Sequence, residues 1–184
     1  MWLVCGLGNP GKKYLLTRHN IGFDILDAII KKNNFQLYKK DKTKELYKGS
    51  IDNINCLLLK PLTYMNISGE AVSEIVNFFK ISELKILVIH DDLDLKLAKI
   101  KIKVGGGAGG HKGLLSIDDA IGKNYKRLRI GIGHPGLKEM VSSFVLEKFT
   151  DVERKKINYK IDLLIKNFSL IFENDRLLLT KITS

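Results

Sequence analysis

Two cysteines, three prolines and one tryptophan are all that this 184-residue chain holds of those residue types. Cys5 and Cys56 both lie in apolar stretches. They cannot build the disulfide framework of a small secreted domain, and they read as buried thiols of a reducing compartment. Long apolar runs are missing too. None approaches the roughly 18 residues of a bilayer span, so no membrane helix is expected. The first apolar run has no basic stretch before it and stops at Gly6, so no signal peptide is expected either. Linkers, repeats and low-complexity segments are absent, which predicts one domain over residues 1–184. A chain of this size buries roughly 70% of its unfolded surface, enough for a proper core.

Acidic residues are also few: 20 against 31 Lys plus Arg, a net charge of +11. Such a surface attracts polyanions, nucleic acid first and anionic membrane second. No zinc-finger spacing or aromatic-rich basic arm narrows that choice. A lysine-rich solubilising surface accounts for the same numbers.

Residues Trp2 to Leu7 read as a buried strand, followed by a loop rich in Gly and Lys. In "NIGFDILDAIIKK", Ile21, Ile25, Ile29 and Ile30 share one helical face, with Asn20 as N-cap. Leu46 to Ser50 and Ile54 to Lys60 form a hairpin around Asp52-Asn53, ended by Pro61. "SGEAVSEIVNFFK" places Val72, Ile75, Val76 and Phe79 on one helical stripe, with Ser68 as cap. "KILVIH" suits a central strand. "KIKIKV" alternates strictly, with Lys99, Lys101 and Lys103 on one face. After "GGGAGGHKG" comes a short helix near Leu114 to Ile121, then the strand "RLRIGIG". "SFVLEKF" reads as a short strand or extended segment. The last helix opens on a capping box, Thr150 and Glu153, and carries Ile157, Ile161, Leu164, Ile165 and Phe168 on one stripe. The tail after Ser169 has no clear pattern. Strands alternating with helices predict an α/β fold: a single three-layer domain with a mixed twisted sheet between helices.

Gly6, Gly8 and Gly11 fit the dinucleotide fingerprint G-x-G-x-x-G. The context contradicts it. The helix begins near Asn20, nine residues past Gly11, and the acids at the right distance, Asp24 and Asp27, fall inside that helix. Pro10 removes an N–H from the stretch that should cradle pyrophosphate. The glycines are expected instead to shape a tight turn that presents Asn9 and leads to His19.

Polar residues recur at predicted strand ends, where sites form in α/β sheets: Asn9, Asn66, His90, Asp91 and His111. A histidine beside a carboxylate is a general base with a fixed tautomer, and asparagine amides donate to a carbonyl or a developing oxyanion. No serine or cysteine is an obvious nucleophile, which leaves water. "HDDLD" also has the residue types of a Mg²⁺ or Mn²⁺ site in a two-metal nuclease. "GGGAGGHKG", with six glycines in nine residues, suits a close backbone approach or a lid. Lys101, Lys103, Arg127 and Arg129 flank it on strands and suit phosphate contacts. Three classes stay open on these residues: an esterase using water, a metal-dependent nuclease and a non-catalytic RNA-binding module.

Taken together and in order, "GLGNPGKKYLLTRHNIG", "KPLTYMNISG", "HDDLDL", "GGGAGGHKGL" and "RLRIGIGHP" resemble the bacterial peptidyl-tRNA hydrolases. The resemblance is close over residues 2–149 and loose over the last helix. It implies a monomeric cytoplasmic enzyme of translation. Such an enzyme hydrolyses the ester between a nascent peptide and tRNA, with no metal or other cofactor and no membrane partner. Its partner is tRNA carrying a peptide, engaged at the acceptor arm and 3′ end. At the matching positions, His19 would activate water, Asp91 would hold His19, and Asn9 would recognise the first peptide bond. Asn66, beside Met65, would position substrate or water. Tyr14 and Tyr64 match tRNA-contacting positions, and His111 sits on the mobile loop lining the site. Lys101, Lys103 and Arg129 would clamp the tRNA 5′ phosphate. The chain departs from the pattern at Lys112, a substrate-binding position where the family usually has Asn, and the segment between Gly122 and Arg127 is short.

Overall fold

The computed structural model describes residues 1–183. Seven strands follow in chain order: β1 (Trp2–Gly6), β2 (Gln36–Lys40), β3 (Lys44–Ile51), β4 (Ile54–Pro61), β5 (Ile86–Asp92), β6 (Ile100–Val104) and β7 (Lys126–Gly131). The helices are α1 (Ile21–Asn33), α2 (Ser68–Phe79), α3 (Lys112–Ile121), α4 (Val141–Leu146), α5 (Asp151–Lys166) and α6 (Asp175–Thr183). One mixed sheet runs in the order β2-β3-β4-β1-β5-β7-β6. Its centre, β4-β1-β5-β7, is parallel, and antiparallel strands finish both edges.

The period of two along a strand divides the core into two layers. Leu3, Cys5 and Leu7 pack with Leu57, Leu59 and Val88 beneath Val72 and Ile75 of α2 and Leu114 and Ile117 of α3. Val4, Leu58, Leu87, Ile89 and Leu128 face the opposite side, against Ile21, Ile25 and Ile29 of α1, Ile157, Ile161 and Leu164 of α5, and Leu178 of α6. This is the expected three-layer α/β arrangement.

Gly6 and Gly22 set how closely α1 approaches the sheet. A Cβ on Gly6 would lie 2.4 Å from the Gly22 carbonyl oxygen, and one on Gly22 would lie 2.4 Å from the Leu7 nitrogen. Gly8 packs against the Phe23 ring. Only Gly11 of the three opening glycines has positive φ, at 106°. The expectation that all three shape a turn is therefore corrected: two of them serve close packing.

Other local readings also change. β2 was not expected; all five of its residues are exposed, so it carries no buried alternation. The hairpin turn is as expected, with Asp52 and Asn53 at φ 45° and 66°, the signs a two-residue turn requires. "SFVLEKF" is mainly the helix α4, and only Lys148 makes a single bridge, to Thr17. A short apolar run does not distinguish helix from strand. Ser68 does not cap α2: its hydroxyl donates to the Met65 carbonyl. Asn20 occupies the N-cap position of α1 but makes no cap bond. The capping box of α5 is present, while that helix ends at Lys166 and Phe168 begins a 3-10 turn. The unread tail forms this turn and α6.

Candidate active site

Because β1, β4 and β5 are parallel, their carboxyl ends meet at one edge of the sheet. The segments after β1 and β4 carry Asn9 and Met65-Asn66 to that edge, where Asp91 stands at the end of β5 itself. His111 arrives by another route. β6 is antiparallel to β7 and ends with Val104 opposite Lys126, at the far edge. The glycine-rich loop then runs back along the sheet, with φ positive at Gly105, Gly106, Gly109 and Gly110. These elements enclose a cleft of about 950 Å³.

Asp91 is the centre of the polar cluster. Its side chain is 2% exposed. One oxygen, Oδ1, lies 2.8 Å from His19 Nδ1 and 3.0 Å from His111 Nε2. The tautomers follow from the remaining bonds. His111 Nδ1 accepts from the backbone N–H groups of Gly113 and Leu114, capping α3, so a neutral His111 carries its proton on Nε2. His19 donates through Nδ1, which leaves Nε2 as an acceptor at a cleft it lines. Burial alone would push the His19 imidazole down, but the Asp91 charge and hydrogen bond hold it above its ordinary value. The Lys112 ammonium opposes that rise. Burial would raise the Asp91 carboxyl; the two imidazoles hold it well below the usual carboxylate range. His90 is different. Burial, with His111 adding to it, pushes its pKa down to about 3. Its Nδ1 donates to the Asp91 carbonyl and its Nε2 is buried without a partner.

Asn9 is fixed by two partners. Its N–H donates to Asn20 Oδ1 at 2.8 Å, and Asn20 Nδ2 donates back to its carbonyl at 2.9 Å. The Met65 N–H donates to Asn9 Oδ1 at 3.0 Å. With Oδ1 occupied, the Asn9 amide presents its Nδ2 protons to the cleft. Asn20 is thus a site residue that the sequence marks only as a helix cap. Its pattern in sequence is the same for either role.

Tyr14, Tyr64, Met65, Asn66, Lys103, His111, Lys112 and Arg129 also line the cleft, with α4 as a further wall not foreseen. Lys101 does not line it; it pairs across strands with Arg129, next to the rim. Arg127 requires a correction. It is buried, donates to Asp118 Oδ1 and to the Gly107 carbonyl, and so ties down the glycine loop instead of facing phosphate. Arg129 donates through Nε to Asp92 at 2.6 Å, leaving the outer guanidinium nitrogens.

The acids of "HDDLD" do not converge. Asp91 faces the histidines and Asp92 faces Arg129. Among the described residues, the donors that come together as a metal site would require are His19, Asp91 and His111, within 4.8 Å of one another. Hydrogen bonds already account for that geometry.

A buried carboxylate orienting an imidazole, beside a fixed amide and a cationic rim at the strand ends of a mixed sheet, defines an α/β enzyme with a His–Asp pair in its cleft. The family model described as Peptidyl-tRNA hydrolase matches residues 3–183. A peptidyl-tRNA hydrolase of Bartonella quintana is 43% identical over 178 residues, 97% of this chain and 92% of that protein. One of Agrobacterium fabrum is 45% identical over 175 residues, 95% of this chain and 74% of that protein. The crystal structure of the Acinetobacter baumannii peptidyl-tRNA hydrolase superposes with a TM-score of 0.93 at 40% identity, covering 100% of this chain and 95% of that one. The chain belongs to the peptidyl-tRNA hydrolase family.

Proposed function

We infer that the chain hydrolyses the ester joining a peptide to tRNA, with water activated by His19. The observation that carries this reading is the 2.8 Å contact of His19 Nδ1 with Asp91, which leaves Nε2 as the proton acceptor. Water attacks the ester carbonyl carbon and gives its proton to His19 Nε2. The bond to the ribose oxygen breaks, and the imidazolium returns the proton to that oxygen. Asp91 stabilises the imidazolium. Asn9 Nδ2 donates to the carbonyl of the first peptide bond. An aminoacyl-tRNA with a free amine lacks that acceptor, so the Asn9 amide would be left unpaired against it.

The remaining lining residues are assigned to the nucleic acid and to positioning. Asn66 is exposed at the cleft and holds substrate or water beside Met65. Tyr14 and Tyr64 offer ring faces to the tRNA 3′ end. Lys103 and Arg129 meet phosphate, joined by Lys101 from beside the rim. Lys112 heads α3, where a cation opposes the helix dipole, and contacts phosphate or ribose from there. His111 holds the glycine loop onto Asp91. None of the described helices is long and apolar enough to cross a membrane. The reading is of a monomer acting in the cytoplasm without metal or cofactor.

The test is the pH profile of hydrolysis. H19A should lose on the order of 10² to 10⁴ in kcat/KM. D91N should also lose activity and move the acid limb to lower pH, because removing the neighbouring negative charge lowers the His19 pKa. An acid limb unchanged in D91N would contradict the pairing.

A further inference from the structure

The segment that delivers His19 is not held by its own hydrogen bonds alone. Arg18, its chain neighbour, has a side chain 5% exposed and makes a bidentate pair with Glu153, Nη1 to Oε1 at 3.2 Å and Nη2 to Oε2 at 2.8 Å. Its guanidinium also stacks on two rings, 4.3 Å from the Phe144 centroid in α4 and 4.8 Å from that of Phe149. Its backbone N–H donates to the Glu147 carbonyl at 2.9 Å, and Thr17 bridges Lys148. Glu153 is itself fixed: Oε2 accepts from the N–H and hydroxyl of Thr150 in the α5 capping box. A second arginine, Arg154, reaches back to the Leu16 carbonyl at 2.6 Å and to Asp24 at 2.8 Å. Leu16 has φ 63°, a conformation that a bulky side chain adopts only when its surroundings impose it. The backbone leading to His19 is therefore imposed by the start of α5, more than 130 residues away in sequence.

We propose that Arg18 and Glu153 are positioning residues for the reaction: their bidentate pair fixes the 3-10 turn Arg18–Asn20 so that His19 meets Asp91. The proposal rests on His19 being the base. A lysine cannot replace Arg18, because the flat fork both meets two carboxylate oxygens and packs over two rings. The turn also carries Asn20, which fixes Asn9, so one clamp sets both the base and the amide that reads the substrate.

The test uses the full chain and two variants, R18K and E153Q. E153Q retains an acceptor for Thr150 but loses the charge and one of the two oxygens that Arg18 meets. Each variant should lose about 10- to 100-fold in kcat on N-acetyl-aminoacyl-tRNA, with KM within about twofold, as misplacement of a reacting group by an ångström does. The second readout is the ¹⁵N resonances of the His19 ring, which report tautomer and pKa without turnover. The groups facing this ring are Asp91, His111 with its centroid 4.9 Å away, and Lys112. In the variants the Nδ1–H tautomer should be less populated and the titration should move to lower pH. Wild-type kcat together with wild-type His19 resonances, in variants that only melt earlier, would overturn the proposal and leave the clamp a purely structural brace. If the wild type itself fails to cleave the ester, the functional reading fails, and the resonances alone decide on the clamp.

Discussion

Asp91 serves two imidazoles through one oxygen, while a third imidazole, His90, lies edge-on to His111 at 5.2 Å between ring centroids. His19 and His90 respond to pH in opposite ways, and the sign for each follows from its surroundings. His19 is raised, so its contribution to stability is complete below its unfolded pKa and is lost as pH rises through its folded value. His90 is lowered to about 3, so the unfolded chain binds its proton first. Stability tied to His90 is complete above about pH 6.5 and is lost as pH falls toward its folded value, with a slope of at most about 1.4 kcal/mol per pH unit. The expected outcome is that urea midpoints of wild type and H90N converge, or cross in favour of the variant, as pH is lowered from 7 to 4.5. A constant difference would show that His90 is not held neutral. At this scale the sequence was informative where residue type and neighbours sufficed. His19, Asp91, Asn9 and the other candidate site residues came out in one cleft, Lys101 alone standing outside it. Partner choice was not legible. Asn20 bonding Asn9, Arg127 bonding Asp118 and Arg129 bonding Asp92 each join residues whose meeting depends on the fold.

Elements were legible to the degree that their burial left a period. The central strands and α1, α2 and α5 bury one face or both and show it in sequence. β2 buries neither face, and α4 has no fully buried residue, so one was missed and the other misread. The packing of α1 on β1 shows how much one position controls at this scale. A methyl at Gly22 would lie 2.4 Å from Leu7 N and 2.5 Å from Ile89 O, both backbone atoms that cannot rotate away. G22A should therefore displace α1 and cost about 1–3 kcal/mol or more, the range of overpacked cores. Because Ile89 immediately precedes His90 and Asp91, kcat should fall along with stability. Thermal unfolding and kinetics at a temperature where the variant is folded read both. Wild-type values for both would show that the helix can move off the sheet freely.

At the scale of the whole molecule, the chain carries a net charge of +11, and part of that excess stands on the β6–β7 edge beside the cleft. Lys101 and Lys103 stand across from Arg129 and Arg127 on neighbouring strands, and like charges placed so are destabilising. The arginines have Asp92 and Asp118 as partners; among the described residues neither lysine has an acidic partner. Their uncompensated charge suits a polyanion, which agrees with the reading from composition. K103A should raise KM on full-length tRNA and flatten the salt dependence of log affinity by about 0.7 to 0.9 for each phosphate no longer neutralised, with kcat nearly unchanged. Equal slopes for variant and wild type would show that Lys103 does not meet phosphate. The most direct test of tRNA-ester hydrolysis by a metal-free His–Asp pair compares N-acetyl-aminoacyl-tRNA with the same tRNA carrying a free amine. Both are assayed with and without EDTA, following ester cleavage and RNA integrity separately. Rapid cleavage of the blocked ester, little of the free-amine form, intact RNA and no effect of chelator are expected. Equal turnover of the two esters, cut RNA, or activity abolished by EDTA would contradict that mechanism.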